Sequence, residues 1–480
     1  MISPENSLLM TRCFTLLFVA STLAAVKPNI VLIVIDDLGQ QDLGCYGSSF
    51  YDTPEIDRLA AESVRFERAD SAHPRCVPSR VGLLSGKYPA RFGQPGAPDR
   101  SLGPHALPLR EVTFGEAFKS AGYRTAYLGK WHLGKDGGAP EDQGFEISIG
   151  AGHIGAPQSY FAPYLSKKGA HGVAGAPPNM EPGANGTYLT DKLTDEAIGC
   201  LDRFKSDPFL LVLSHYAVHT PLEAPEAETA SYRKKASALP ALKNAFVDDK
   251  TGSCKQRQDH PVYAAMIAAV DRSVSRIRQA ISQRKLADNT IIILTSDHGG
   301  LSSRGLSSKR EVATSNLPLR HGKGWLYEGG IRVPLLIHVP GKAARVAYSI
   351  TTGTDLYPSM LELAGLPLMP KQHLDGISVV PALDTEMPYR GPIFWHSPLG
   401  RPSSTGDTNA SALRQGRWKL IDWYDEDVVE LFDLHEDAGE QKNLAQADPE
   451  RSAALLRKLR NWREANARNA NLHGKTKKKR

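Results

Sequence analysis

Cysteine is scarce in this chain of 480 residues: there are five, at positions 13, 45, 76, 200 and 254. No two are spaced as C-x-x-C, which argues against a cysteine-built zinc site. If the first is lost with a removed leader, the remaining four allow two disulfides, and spacing alone does not assign them. Long hydrophobic runs are missing beyond the N-terminus. No later stretch is long and apolar enough to cross a bilayer, which excludes an integral membrane anchor there. Charge of one sign is also in short supply, with a formal net of +6. Much of that excess sits in the final "HGKTKKKR". The tail, residues 471–480, reads as a solvated basic end. No nucleic-acid-binding motif accompanies it, so nucleic acid is not expected as a partner. No internal repeat is present.

What remains is an ordinary globular composition, 41% hydrophobic and 23% charged. The length suits one large domain with a smaller companion. Residues 1–25 read as an export signal. In "MTRCFTLLFVASTLAA", Arg12 precedes an apolar run that closes on small residues at Ala25. That run is too short for a span and right for a signal peptide. The preceding "MISPENSLL" reads as a mis-assigned start. Cys13 follows Arg12 rather than an apolar run, which argues against a lipoprotein anchor. The mature chain is expected to begin near Val26 and to work in the periplasm or outside the cell. The sequons at Asn185 and Asn409 read as chance matches in a chain of bacterial style.

Hydrophobic patterning predicts alternating strands and helices. "KPNIVLIVIDDLG" is apolar on both faces, as a buried parallel strand requires. "TPEIDRLAAESV" reads as a helix with Thr53 as its cap, Pro54 in its first turn, and Ile56, Leu59 and Ala60 on one face. "TFGEAFKSAG" then "YRTAYLGKWH" reads as helix, stop and strand, and "DKLTDEAIGCLDRF" then "PFLLVLSHYAVH" repeats it. Tyr263, Ile267, Val270, Val274, Ile277 and Ile281 form one helical stripe. "NTIIILTSDHGG" and "RVPLLIHVPG" read as strands and "TDLYPSMLELAG" as a helix. Residues 150–190 and 225–258 read as long loops. After about residue 385, "SALRQGRWKLIDWYDEDVVELFDL" reads as short antiparallel strands and "DPERSAALLRKLRNWREANAR" as a closing helix. The expected fold is α/β, a large mostly parallel sheet flanked by helices over 26–385, with a smaller C-terminal α+β subdomain over 386–470. Ligands gather at the carboxyl ends of such sheets. Four apolar strands here end in "DD", "GKWH", "SHYAVH" and "SDHG".

Asp36, Asp37 and Asp297 at converging strand ends would repel one another unless a cation sat among them. Hard oxygen ligands favour Ca²⁺ or Mg²⁺. Lys130, His132, His219 and Lys323, with Arg80, make a site for a tetrahedral oxyanion such as sulfate or phosphate. In "CVPSRVGLLSG", Cys76 opens a helix, where backbone N–H groups favour negative charge. A plain thiolate is a poor match for a hard, carboxylate-held metal, which points to an oxygen-bearing derivative of Cys76.

"CVPSR" followed by "LLSGKYP" resembles the signature of the sulfatase family, in which the cysteine becomes Cα-formylglycine. The likeness continues in order through "PNIVLIVIDDLG", "GYRTAYLGKWHLG", "HTP", "TSDHGG", "GKGWLYEGGIRVP", "GRWKLI" and "ELFDLHEDAGEQKNLA". The resemblance implies an alkaline-phosphatase-like fold and hydrolysis of sulfate esters. It implies a divalent metal, usually Ca²⁺, held by Asp36, Asp37, Asp297, His298 and the derivative at Cys76; many members have Asn at the position of His298. Arg80 and Lys130 would hold and polarise the hydrate. His219 and Lys323 would bind the sulfate, one of them protonating the leaving alcohol, and His132 would be the base for the second step. One geminal hydroxyl attacks sulfur, and the other then loses its proton and expels sulfate. A formylglycine-generating enzyme is an implied partner. "GAGHIGAPQSYFAPY" and "TSNLPLRHGKGW" resemble bacterial polysaccharide sulfatases, making His153, Arg320, His321 and His396 candidate contacts to a galactose- or N-acetylgalactosamine-type sugar. Where relatives carry a "HYPHY"-like segment, this chain has "WHSPLG", keeping His396 but placing Leu399 at the second His. The competing readings are a phosphodiester or phosphonate monoester hydrolase on the same fold, and a catalytically dead glycan-binding homologue.

Overall fold

The computed structural model describes residues 27–93, 107–134, 138–166, 174–204 and 207–467. The signal segment 1–25 and the basic tail 471–480 lie outside them. Strand β1 (Asn29–Ile35) is buried along its whole length. Its alternate residues explain the unbroken apolar run. Val31, Ile33 and Ile35 enter one core while Ile30, Leu32 and Val34 enter the core on the opposite face.

The sheet around it has eight strands among the described residues. The others are β2 (Val64–Phe66), β3 (Arg124–Gly129), β4 (Ile147–Ile149), β5 (Phe209–His215), β6 (Thr290–Ser296), β7 (Leu335–His338) and β8 (Arg345–Ala347). Their order is β8-β2-β7-β6-β1-β5-β3-β4. Strand β7 runs antiparallel to both neighbours, and the remaining pairings are parallel. Register pairs Ile35 with Ser296 on one side and His215 on the other, and Gly129 with Ser214. The four polar-ended strands are therefore consecutive neighbours, and their following loops leave the sheet side by side.

On one face, α1 (Pro54–Ala61), α4 (Leu189–Phe204) and α6 (Pro261–Gln283) bury their apolar stripes. The six-residue stripe of α6 is buried as expected. The other face is covered by α2 (Cys76–Ser85), α3 (Phe114–Ser120) and α7 (Leu356–Leu363). Helix α3 begins with a reciprocal box in which Thr113 accepts from the Glu116 N–H and Glu116 accepts from the Thr113 N–H. Helix α1 departs from expectation. Thr53 does not cap it, since its hydroxyl accepts from the Gly44 N–H and donates to Asp57. The first-turn N–H groups of Glu55 and Ile56 are instead taken by Asp271 of α6.

The stretch 225–258, expected as loop, holds α5 (Glu226–Ser237) and a hairpin of Phe246–Asp249 with Gly252–Lys255. Only Thr229 and Tyr232 of α5 are buried, so it lacks the apolar period that marks a helix in sequence. The C-terminal region forms the expected antiparallel sheet, β9 (Ile393–Ser397), β10 (Ala410–Gln415), β11 (Trp418–Trp423) and β12 (Val428–Asp433), backed by α8 (Pro449–Asn466). Its core also takes Trp325, Tyr327 and Ile331 from the larger unit. The four described cysteines are free thiols.

Candidate active site

Helix α2 starts at Cys76 because Arg75 is extended, and it ends at Gly86, whose φ of 66° only glycine adopts readily. Cys76 is 7% exposed, and its Sγ lies 3.1 Å from His298 Nε2. The loops after β1 and β5 are clasped by paired backbone bonds, Asp36 N–H to Ala217 O and Val218 N–H to Asp36 O. Asp37 has φ 60° and donates its N–H to Asp297 Oδ1 at 3.3 Å. His298 Nδ1 sits 3.0 Å from Gly299 O. A proton there leaves Nε2 with a bare lone pair, facing Cys76 Sγ, Asp37 Oδ1 at 3.3 Å and Asp297 Oδ1 at 3.7 Å.

One ligand atom from each of Asp36, Asp37, Cys76 and His298 lies within 4.8 Å of the others. Asp36 Oδ1 is buried with no hydrogen-bond partner. Carboxylate oxygens, an imidazole nitrogen that is bare in the Nδ1–H tautomer and an unsatisfied buried oxygen gathered within 4.8 Å fit a divalent cation. The expected fifth residue, Asp297, borders the group through Oδ1.

Basic side chains close the cluster. Lys130 Nζ is 2.5 Å from Asp36 Oδ2, and Lys323 Nζ is 2.6 and 2.8 Å from the two oxygens of Asp37. Arg80 donates to Asp297 Oδ2, Lys130 O and Ser214 Oγ at 3.0, 2.6 and 2.8 Å. His219 Nε2 stands 3.8 Å from Asp37 Oδ2. Burial lifts the Asp36 carboxyl well above its usual range, against the pull of Lys130. Burial also opposes ionisation of Asp37, but His219, Lys323 and His298 outweigh it and hold Asp37 below its usual range. Cys76 behaves alike: burial resists the thiolate, and Lys130, Lys323 and His298 override it and bring the thiol well down. Burial pushes His219 down to about 3 and His132 to about 4, so both rings are neutral near pH 7. His132 has φ 61°, and its Nδ1 is buried without a partner. His298 goes the other way. Burial disfavours its charge, but Asp297 and Cys76 raise it.

The structure thus brings together Cys76, Arg80, Lys130, His132, His219, Lys323, Asp36, Asp37, Asp297 and His298. It does not bring the sugar candidates into that group. Arg320 grips Asp249 at 2.6 and 2.8 Å and lies over Tyr327. His321 is buried against Trp325, 3.2 Å from Cys254 Sγ and 3.1 Å from Asp249. Both bond to the hairpin at 246–255 through Asp249, and His321 stacks on Trp325 and Tyr327. His396 is buried and bonded to Ser411 Oγ at 2.8 Å, while His153 is exposed. Sequence reasoning missed Ser214, which joins Arg80 to the Lys130 carbonyl. It also missed Arg75, whose NH2 meets both oxygens of buried Asp407 at 2.7 and 2.6 Å. Ser214 was legible as the polar residue breaking "LLVLSH". The Arg75–Asp407 pair, spanning 332 positions, was not.

The fold is that of the alkaline-phosphatase superfamily of hydrolases. A crystal structure of Ps i-CgsB in complex with k-i-k-neocarrahexaose matches with a TM-score of 0.73 and 31% identity, covering 92% of this chain and 93% of that one. The phosphonate monoester hydrolase of Agrobacterium radiobacter, 22% identical with a TM-score of 0.62, shares the fold. Within that class, the sulfatase family model matches residues 28–366, and the chain belongs to the sulfatase family as a type I sulfatase, a sulfuric ester hydrolase. The C-terminal model of N-sulphoglucosamine sulphohydrolase matches residues 320–465. A sulfatase of Formosa agariphila is 30% identical, over 91% of this chain and 88% of its own length. The human N-acetylgalactosamine-6-sulfatase is also 30% identical, over 78% and 69% respectively.

Proposed function

We propose that the chain removes sulfate from a sulfated carbohydrate of the galactose or N-acetylgalactosamine type. The observation that carries this reading is the buried Cys76, at a helix N-terminus, ringed by His298, Lys130, Lys323 and three carboxylates. The similarity to an N-acetylgalactosamine-6-sulfatase and to a protein solved with k-i-k-neocarrahexaose supports a sugar substrate. In this proposal Cys76 is matured to Cα-formylglycine by a formylglycine-generating enzyme, and its hydrate supplies both the attacking oxygen and the second hydroxyl that lets sulfate leave. Asp36, Asp37, Asp297 and His298 hold Ca²⁺, with Mg²⁺ the lesser alternative, and the cation supplies positive charge against the sulfate oxygens.

The chain's own groups do the rest. Lys130 and Arg80 fix the residue-76 side chain and neutralise charge building on it. His132, neutral and beside residue 76, takes the proton in the second step. Lys323 and His219 receive the sulfate. An incoming sulfate places negative charge beside His219, which favours its protonated form and lets it or Lys323 hand a proton to the departing alcohol. We further propose export with removal of residues 1–25, work in the periplasm or outside the cell, a catalytic unit over 26–385 and a smaller unit over 386–470.

The test is release of inorganic sulfate and phosphate from sulfated sugars, an aryl sulfate and a phosphodiester, with a maturation enzyme co-expressed and Cys76→Ala alongside. Sulfate release that is lost in Cys76→Ala upholds the reading. Phosphate release alone would move it to the phosphodiesterase alternative. A peptide mass showing an unmodified thiol at Cys76 in active protein would remove the formylglycine step.

A further inference from the structure

The turn at 401–406 lies beside the site and carries charge that the hydrolytic scheme does not use. Its N–H groups at Ser404, Thr405 and Gly406 all point to Arg401 O. It is tied to the site on two sides. Asp407, which ends it, is gripped by Arg75, the residue before Cys76. Gly324, the residue after Lys323, packs so closely on the pair that a Cβ there would come within 2.5 Å of Asp407 Oδ1 and 2.9 Å of Arg75 NH2. A second segment is laced to the first: Arg310 NH1 donates to Ser404 Oγ at 2.9 Å, and Gly305 N–H donates to Ser404 O.

This framework brings three arginines, Arg75, Arg310 and Arg401, into one neighbourhood, with Arg75 on the Asp407 carboxylate. Asp407 is already saturated by Arg75, the Thr405 hydroxyl and the Arg401 N–H. Among the described residues neither Arg310 nor Arg401 has a carboxylate within salt-bridge distance, whereas most arginines of the chain do. Arg310 is half-buried and Arg401 is exposed. Arg310 lies within electrostatic reach of Asp37, Arg75 and Cys76, and Arg401 within reach of Arg75, Cys76, Asp407 and Arg310. Two neighbouring guanidiniums without an acid at salt-bridge distance are stabilised by an anion that bridges them.

We propose that Arg310 and Arg401 form a second anion-holding position at the mouth of the site, which takes a further sulfate or carboxylate of the same substrate. The preferred substrate is then a carbohydrate carrying at least two anionic groups, one hydrolysed at residue 76 and one held by the arginines. This rests on the carbohydrate sulfatase reading above.

Binding is measured by calorimetry on Cys76→Ala protein, which cannot turn substrate over. The probes are matched galactose disaccharides bearing one sulfate, two sulfates, or one sulfate and one carboxylate. The expected result is roughly tenfold tighter binding of the doubly charged sugars, as charge-assisted guanidinium contacts at a partly exposed position provide. That preference falls to near unity with Arg310→Gln and Arg401→Gln together, and is partly kept with both replaced by Lys. Tighter binding of the disulfated sugar alone names sulfate as the second group, and equal gain with the carboxylate names charge as the criterion. Equal binding of singly and doubly charged sugars, no binding of any, or a preference unchanged in the Gln pair overturns the proposal. Sulfate release by the wild-type protein is read separately. Its absence beside an intact binding preference would refute the hydrolase reading and leave the subsite standing.

Discussion

Arg80→Lys separates charge from geometry at the centre of the site. The guanidinium makes three hydrogen bonds with side-chain exposure of 1%. A lysine keeps the charge but cannot place donors on all three acceptors. Lys130 O is cushioned, because it also accepts from Tyr127 OH and Ser214 Oγ at 2.9 Å. Asp297 Oδ2 is not, and a buried carboxylate that loses a charged donor costs about 2–3 kcal/mol. The weakened contact to Ser214 adds about 1 kcal/mol. The sum, about 3–4 kcal/mol, is a large part of an ordinary folding free energy. It should appear as a lower urea midpoint with an unchanged slope. Because Arg80 also orients Asp297 against His298, sulfate release should fall by at least ~10²-fold. An unfolding free energy within about 0.5 kcal/mol of wild type would show that the buried network contributes no net stability. Activity within threefold of wild type would show that guanidinium geometry is not needed.

Chelation tests the metal reading without turnover. Removing divalent ions should lower the thermal midpoint, and Ca²⁺ at one hundred times its dissociation constant should restore about 2.7 kcal/mol; an unchanged midpoint would count against a resident cation. Arg75→Ala strands the fully buried Asp407 and should cost about 3–5 kcal/mol by denaturant titration, and a loss under about 1 kcal/mol would contradict it. His215, 3.0 Å from Ser273 Oγ, is pushed down to about 3 by burial. Its folded value lies below the unfolded value of about 6.5. The unfolded chain therefore binds a proton that the folded chain refuses, and stability falls as pH drops from about 6.5 towards 3, by up to about 1.4 kcal/mol per pH unit from this residue. His215→Gln should flatten that slope across this window, and an identical slope would refute the assignment.

Much of this was legible in the sequence because the signals are local. The apolar runs of β1, β5 and β6 and the stripe of α6 report burial directly, and the polar strand ends named the cluster before any geometry was known. What escaped was what depends on contacts between distant segments. Thr53 looked like a cap, but Asp271, 216 positions away, serves α1 instead. The ties of Arg320 and His321 to Asp249 were not legible, because the hairpin that supplies Asp249 has too weak an apolar alternation to be read as strands. Arg310 and Arg401 carry no motif, and their significance arises from being placed together without a partner acid.

The position of β1 at the centre of the sheet has a consequence in time. Its first residue bonds to Thr290, 261 positions later, and its other neighbour, β5, also follows long after it. At a synthesis rate of about 5–20 residues per second, β1 waits roughly 13–50 s for that partner. Until β5 is made, a seven-residue segment with no charge has both edges without a partner, and until β6 is made it still has one. The strand that presents Asp36 and Asp37 is thus open to mispairing while the chain is young, and yield on expression should depend on what shields it before β6 is made.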